Sequence, residues 1–165
     1  MDAAARIAVR PATPDDAPDL ARINRPARAA AMPWLGEVRS EAEVEAWLRG
    51  YLIPRQGVLC AGGEPPLGYI SFGEEEGGWS VHDLYIDPQA QGRGHGTALL
   101  RCAMEAAGDA PLRLRCFARN QAARGFYGRH GFAVEAEGDG TQNEEGEPDI
   151  LYVRRPSEHM RGTQQ

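Results

Sequence analysis

The sequence contains no lysine: all eighteen basic side chains are arginine. That excludes a lysine nucleophile, a lysine base and the lysine of a nucleotide-binding P-loop. Cysteine is scarce and odd in number, with three residues. Cys60, Cys102 and Cys116 match no metal-ligand spacing. They suit reduced thiols serving as small buried apolar residues, so no metal is expected. Long apolar runs are missing as well, and the opening "MDAAARIAVR" has an acid at position two and no apolar stretch of leader length. We therefore expect a cytoplasmic protein with no membrane partner. Positive charge is in deficit, with a formal net charge of −6. Phosphate-backbone affinity rests on clustered cations, so nucleic acid is not an expected partner.

What is present fits one domain. A chain of 165 residues can bury most of its apolar surface around a single core. We assign residues 1–155 to one domain and 156–165 to a frayed tail. "RIAVRPA" alternates as a strand does, and Thr13, Pro14 and Asp16 then open a helix expected to run to about Arg22. Pro26 and Pro33 mark residues 26–39 as irregular, with Trp34 and Leu35 as apolar anchors. Ser40 and Glu43 form a capping box before "EAEVEAWLRGYL", where Val44, Trp47, Leu48 and Tyr51 are expected on one face. "GVLCAG", "LGYISFG" and "WSVHDLYID" read as three successive antiparallel strands. A helix is predicted over Thr97–Ala107, with Ala98, Leu99, Cys102, Ala103 and Ala106 apolar. "PLRLRCFA" is a strand, Asn120 caps a helix that Gly131 stops, and "FAVEAE" and "ILYVRR" complete the sheet. The pattern is α/β, with helices on both faces of the sheet.

Chemistry concentrates in "DPQAQGRGHGTALL". Gly92, Gly94 and Gly96 alternate between a strand end and a helix start, where backbone N–H groups converge at the positive end of a dipole. Such a turn holds phosphate, because glycine lets successive amides point inward with no Cβ in the way. Arg93 and His95 stand among the glycines and could add charge or frame the ligand. Leu99 occupies the place of the third glycine in G-x-G-x-x-G, and the P-loop lysine is absent, so both nucleotide motifs are excluded. Two acidic stretches stand out, Glu74 to Glu76 and Glu137 to Asp149. They are either solvated loops or an attraction for a cationic substrate.

The segment resembles the pyrophosphate loop of the GNAT superfamily, the acyl-CoA-dependent N-acyltransferases, through the [QR]-x-x-G-x-[GA] pattern at Gln91, Gly94 and Gly96. A second block, "NQAARGFYGRHGF", is similar to the superfamily's N-x-x-A-x-x-x-Y-x-x-x-G-F signature through Asn120, Ala123, Tyr127, Gly131 and Phe132. The resemblance implies a mixed, mostly antiparallel sheet whose parallel fourth and fifth strands splay apart around the pantetheine arm of acetyl-CoA. It places backbone groups of Leu84, Tyr85 and Ile86 on that arm and the run from Gln91 through Gly92, Arg93, Gly94, His95 and Gly96 to Thr97 on the pyrophosphate. The Leu84 N–H would polarise the thioester carbonyl, as oxyanion-hole donors do. Asn120 would bond the pantetheine or cap its helix, and Tyr127 would protonate the departing sulfur or pack in the core; these readings are compatible.

The base is less regular. An alkylamine with a pKa near 10.4 is neutral in only about one molecule in 2,500 at pH 7, a handicap of roughly 4.6 kcal/mol. Ser80 stands where many members of the superfamily have a catalytic Glu. His82 shares its strand face with Ser80 and Leu84, at the place of the catalytic His of arylalkylamine acetyltransferases, and serves as base or as a pocket-lining residue. Glu74 could act through water. An acyl-enzyme on Cys60 or Cys116 lacks a sequence-placed partner to activate the thiol. Acceptor contacts are assigned to Trp34, Leu35, Ser80, His82, Asn143 and Glu144, with Trp47 and Tyr51 as further apolar rim. The expected reaction moves acetyl from acetyl-CoA to a small-molecule primary amine by direct attack. The alternatives are a peptide N-terminal acetyltransferase and a non-catalytic CoA-binding module. A homodimer is compatible with the chain, and its oligomeric state is not legible.

Overall fold

The computed structural model describes residues 6–36 and 39–156. Most of the expected tail, 157–165, lies outside the described residues. Seven strands, β1 (Val9–Pro11), β2 (Gly57–Ala61), β3 (Gly68–Glu75), β4 (Gly78–Ile86), β5 (Leu112–Phe117), β6 (Ala133–Gly138) and β7 (Asp149–Arg154), are hydrogen-bonded in the order β1-β2-β3-β4-β5-β7-β6. The sheet is mixed, with a parallel β4–β5 step among antiparallel pairs. The chain divides into two compact units. The first is built from the chain up to Phe72 and from Asp83–Ala103, the second from Gly73–His82 and from Met104 onward.

In the first unit β1 and β2 pair antiparallel, as do β2 and β3, with Leu59 opposite Ile70 and Cys60 opposite Tyr69. Helices α1 (Ala17–Ala31) and α2 (Glu41–Trp47) supply Ala17, Leu20, Ala21, Ile23 and Val44 to a core completed by Val58, Cys60 and Tyr69. Burial satisfies its polar members: the Asn24 amide donates to the Tyr69 hydroxyl at 2.8 Å. At the head of α1 the Asp16 carboxylate accepts from the Thr13 N–H at 2.8 Å and takes both ends of the Arg10 fork. Gly68 is required by close approach, since a Cβ there would meet Ile86 Cδ1 at 2.5 Å and the Tyr85 carbonyl at 3.0 Å.

Two expectations fail here. The first helix does not stop near Arg22; it runs through Pro26 to Ala31. Pro26 lies on the exposed side while Ile23, Asn24 and Ala27 continue the buried stripe, so packing outweighs the lost backbone bond. In the next helix Trp47 and Tyr51 are exposed, at 39% and 51%, and the buried face is Val44, Leu48 and Leu52. A π turn over Leu48–Leu52 follows α2 and leads into the short α3 (Ile53–Arg55). Positions i and i+4 drift by about 40° in an α-helix. The wider π turn takes that drift back and keeps the three leucine and valine side chains aligned.

In the second unit the start of β4 pairs parallel with β5, from Trp79 opposite Leu112 to Val81 opposite Leu114. β7 lies antiparallel between β5 and β6, with an irregularity at Val134/Ala136. Helix α5 (Gln121–Arg129) ends as predicted: Gly131, at φ 88°, donates to the Gly128 carbonyl and Phe132 to that of Tyr127. Helix α4 (His95–Ala107) begins two residues before the expected Thr97. Its buried stripe is Leu99, Leu100, Ala103 and Ala107, and Ala106 is exposed. Cys60 is buried, Cys102 and Cys116 are half-buried, and none of the three is in a disulfide among the described residues.

Candidate functional site

In the first unit, β4 leads through a 3-10 turn at Pro88–Ala90 into the glycine loop and α4. Asp87 caps the turn by accepting from the Gln89 N–H at 2.9 Å. Gly92 and Gly94 take φ of 79° and 92°, a region that L side chains avoid. The Gly94 carbonyl accepts the first bond of α4, from Ala98 at 3.0 Å, so the loop amides precede a thirteen-residue helix dipole. Gln91, Arg93 and the loop glycines are exposed, Gly96 and Thr97 half-buried, and His95 is buried at 7%. The His95 Nδ1 is sealed from solvent with no hydrogen-bond partner. A pair of positive-φ glycines, a helix start and an orphaned ring nitrogen together fit an oxyanion ligand.

The same unit holds a cavity of about 470 Å³, whose walls come from α1, the segment after it, α2 and β4. Asn24, Arg25, Arg28, Arg39, Trp47, Asp83 and Tyr85 line it. Trp34 and Leu35 sit half-buried in a 3-10 turn beside Pro33 and Gly36, which face the cavity. Tyr85 adds its ring to this wall and lies 6.0 Å from the ring of Tyr69. Asp83 keeps some exposure into the cavity, but its Oδ2 is sealed and unpartnered. Desolvation pushes the carboxyl up to about 6, against a smaller opposing pull from Arg28. Its N–H is used locally, donating to the Ser71 hydroxyl at 3.0 Å.

The second unit places the other candidates. His82 points outward, and its Nε2 lies 3.6 Å from Glu75, which stands beside it in place of the expected Glu74; Glu74 is exposed. The Ser80 hydroxyl donates to the Arg113 carbonyl at 3.3 Å. Asn120 is an N-cap, accepting from the Ala123 N–H at 3.2 Å. Tyr127 is half-buried in an aromatic group, with ring centres 5.3 Å from Phe126 and 5.7 Å from Phe132. Asn143 shapes its own loop by a reciprocal pair with the Glu147 backbone, and Glu144 is exposed. Three of the six acids in 137–149 have the partners seen here: Glu147 with Arg119 at 3.3 Å, Asp149 with Arg115 at 3.7 Å and Asp139 with Thr141 at 2.7 Å.

Sequence reasoning missed the cavity's charged residues, Arg25, Arg28, Arg39 and Asp83. One signal was available. Strand alternation puts Asp83 between Val81 and Tyr85, on the face that turns inward, where a carboxylate needs a reason.

A mixed seven-stranded sheet with a parallel β4–β5 step, and a glycine turn running from β4 into a helix start, define an α/β protein whose turn at the end of β4 fits an anionic group. The Acetyltransferase (GNAT) family matches residues 20–132, more than half of the chain, and the protein belongs to that family. No curated protein matches the sequence. The fold is similar to that of an acetyltransferase from Thermus thermophilus, 25% identical, with a TM-score of 0.70 over 91% of this chain and 97% of that one. PaiA N-acetyltransferase from Thermoplasma acidophilum, solved in complex with coenzyme A, has a TM-score of 0.69 at 21% identity, over 91% and 99% of the two chains. Apo-form YjaB from Escherichia coli has 0.71 at 22%, over 92% and 99%. Among the described residues no helix is long and apolar enough to cross a membrane.

Proposed function

We propose that this acetyltransferase moves an acetyl group from acetyl-CoA to a primary amine. The loop carries the reading: Gly92 and Gly94 at positive φ, ahead of α4, fit the pyrophosphate of CoA. Backbone groups of Leu84, Tyr85 and Ile86 take the thioester and pantetheine. Once the ammonium has lost one proton, its nitrogen attacks the thioester carbonyl carbon. The C–S bond breaks, the nitrogen loses a second proton as the amide forms, and the thiolate takes one proton, leaving free CoA, the N-acetyl product and one net proton in solution. Tyr127 supplies the proton to sulfur, and His82 beside Glu75 draws protons from the amine side.

Free thiol released from acetyl-CoA over an amine panel tests this. Tyr127→Phe is expected to keep CoA binding and lower kcat about 10²- to 10⁴-fold, and His82→Ala to lower kcat/KM and change its pH profile. Tight CoA binding with no amine-dependent thiol would make the protein a non-catalytic CoA-binding module instead.

A further inference from the structure

The Oδ2 atom of Asp83 holds nothing in place: it is sealed from water and accepts no hydrogen bond among the described residues. The bond that this residue gives to the fold, to the Ser71 hydroxyl, comes from its backbone N–H. A buried carboxylate oxygen with no donor on it costs stability and binds a proton more tightly than a solvated one. The side chain lines the cavity of the first unit, whose volume of about 470 Å³ is that of a small-molecule site. Alternation along β4 gives Asp83 and Tyr85 to that cavity and leaves His82 pointing outward. The charged and titratable groups around Asp83 are Arg25 and Arg28 from α1, Arg39 just before α2, Tyr69 from β3 and Tyr85 from its own strand. Arg28 is the one whose charge pulls against protonation, and burial outweighs it. Met32, Val44 and Trp47 make the wall apolar elsewhere. Burial penalises an ammonium and a carboxylate alike, so such a site favours the neutral amine facing the neutral acid.

We infer that Asp83 is a catalytic base of this protein, whose carboxylate takes the first proton from the acceptor's ammonium inside the cavity. This rests on the acetyl-transfer reading and assigns the first of the two protons that the amine nitrogen loses, leaving the second to His82. The N–H bond breaks with its electron pair kept on nitrogen, where it becomes the lone pair that attacks the thioester carbonyl, and an O–H bond forms on Asp83. Asp83 passes this proton to water once the amide has left, and it is the one net proton of the reaction. Desolvation brings the carboxyl up to about 6, closer to an alkylammonium than an ordinary aspartate stands, which favours the transfer about 100-fold.

The test uses matched acceptors: ethylamine with trifluoroethylamine, phenethylamine with its β,β-difluoro analogue, and the same pairing for the best amine of the panel. At pH 8 the alkylamines are almost wholly ammonium and need a base, whereas the fluorinated partners are mostly neutral and do not. Thiol release from acetyl-CoA is followed on the full chain. Asp83→Asn is expected to lower kcat/KM for the alkylamine of a pair about 10²- to 10⁴-fold and to leave that for its fluorinated partner near the parent's, with circular dichroism and CoA binding unchanged. With the alkylamine, kcat/KM of the parent is expected to fall as pH drops below about 6. Asp83→Asn should remove that limb, and His82→Gln should keep it whatever its effect on the rate. Equal losses on both members of a pair, or no loss on either, would make Asp83 a residue of the fold only. A limb that disappears with His82 instead would move the first proton to that side chain. Either result overturns the inference and leaves acetyl transfer standing. A parent that binds CoA and releases no thiol with any amine removes the acetyl-transfer reading, and this step with it.

Discussion

Asp83 sits on the inward face of β4 with one oxygen sealed and unpaired, a placement that costs stability whenever the group is ionised. Its folded pKa, raised to about 6 by desolvation, lies above the unfolded value. Between roughly pH 4 and 6 the folded state therefore keeps a proton that the unfolded chain has released. Stability falls as pH rises through that window and stays lower above it. Asp83→Asn removes the titration, so the variant is expected to be more stable than the parent at pH 8, on the order of 1–3 kcal/mol, with the difference shrinking below pH 4. Urea unfolding at pH 4, 6 and 8 measures it. A difference that does not change with pH would show that Asp83 titrates like a solvated carboxylate.

At the scale of the element, Pro26 gives the sharpest case. It interrupts α1 at the tenth of fifteen residues. It leaves the Arg22 carbonyl without an i+4 donor, and its side chain is exposed. Pro26→Ala restores the bond and the propensity, offset in part by the larger entropy of the unfolded chain, for a net gain of about 1–3 kcal/mol. The thermal midpoint is expected to rise by several degrees, and an unchanged or lower midpoint would refute the assignment of a continuous strained helix. The helix was misread at this point because proline's local penalty is legible in sequence, while the tertiary burial of Ile23 and Ala27 that overrides it is not. Trp47 and Tyr51 were misplaced for a related reason: a π turn shifts the face, and its cause lies in how Leu48 and Leu52 pack rather than in any residue's preference. Features governed by a few neighbouring residues were legible: the Ser40–Glu43 box, the Asn120 cap, the Gly131 stop and the positive-φ glycines of the loop. The cavity of the first unit was not, because Arg28, Arg39 and Asp83 come from separate elements and no spacing along the chain connects them.

For the whole molecule, charge decides where affinity for a polyanionic cosubstrate must come from. A net charge of −6 gives no long-range attraction for CoA phosphates. Binding must then rest on short-range donors in the loop and the start of α4, and disturbing one loop residue should remove most of it. Ligand linkage makes this measurable on the intact protein: CoA at 100 times its dissociation constant stabilises the folded state by about 2.7 kcal/mol, or roughly 5–10 °C in a chain of this size. Gly94→Ala is the discriminating change. At φ 92° an alanine is strained by about 1–2 kcal/mol, whereas its Cβ would meet Ile7 Cδ1 only at an ordinary 3.4 Å. The free variant is therefore expected to melt a few degrees lower than the parent and to stay folded. Its CoA-induced shift should disappear at concentrations that saturate the parent, because the relaxed loop no longer aims its amides at one point. A variant that melts lower but retains the full shift would place the pyrophosphate somewhere other than this loop.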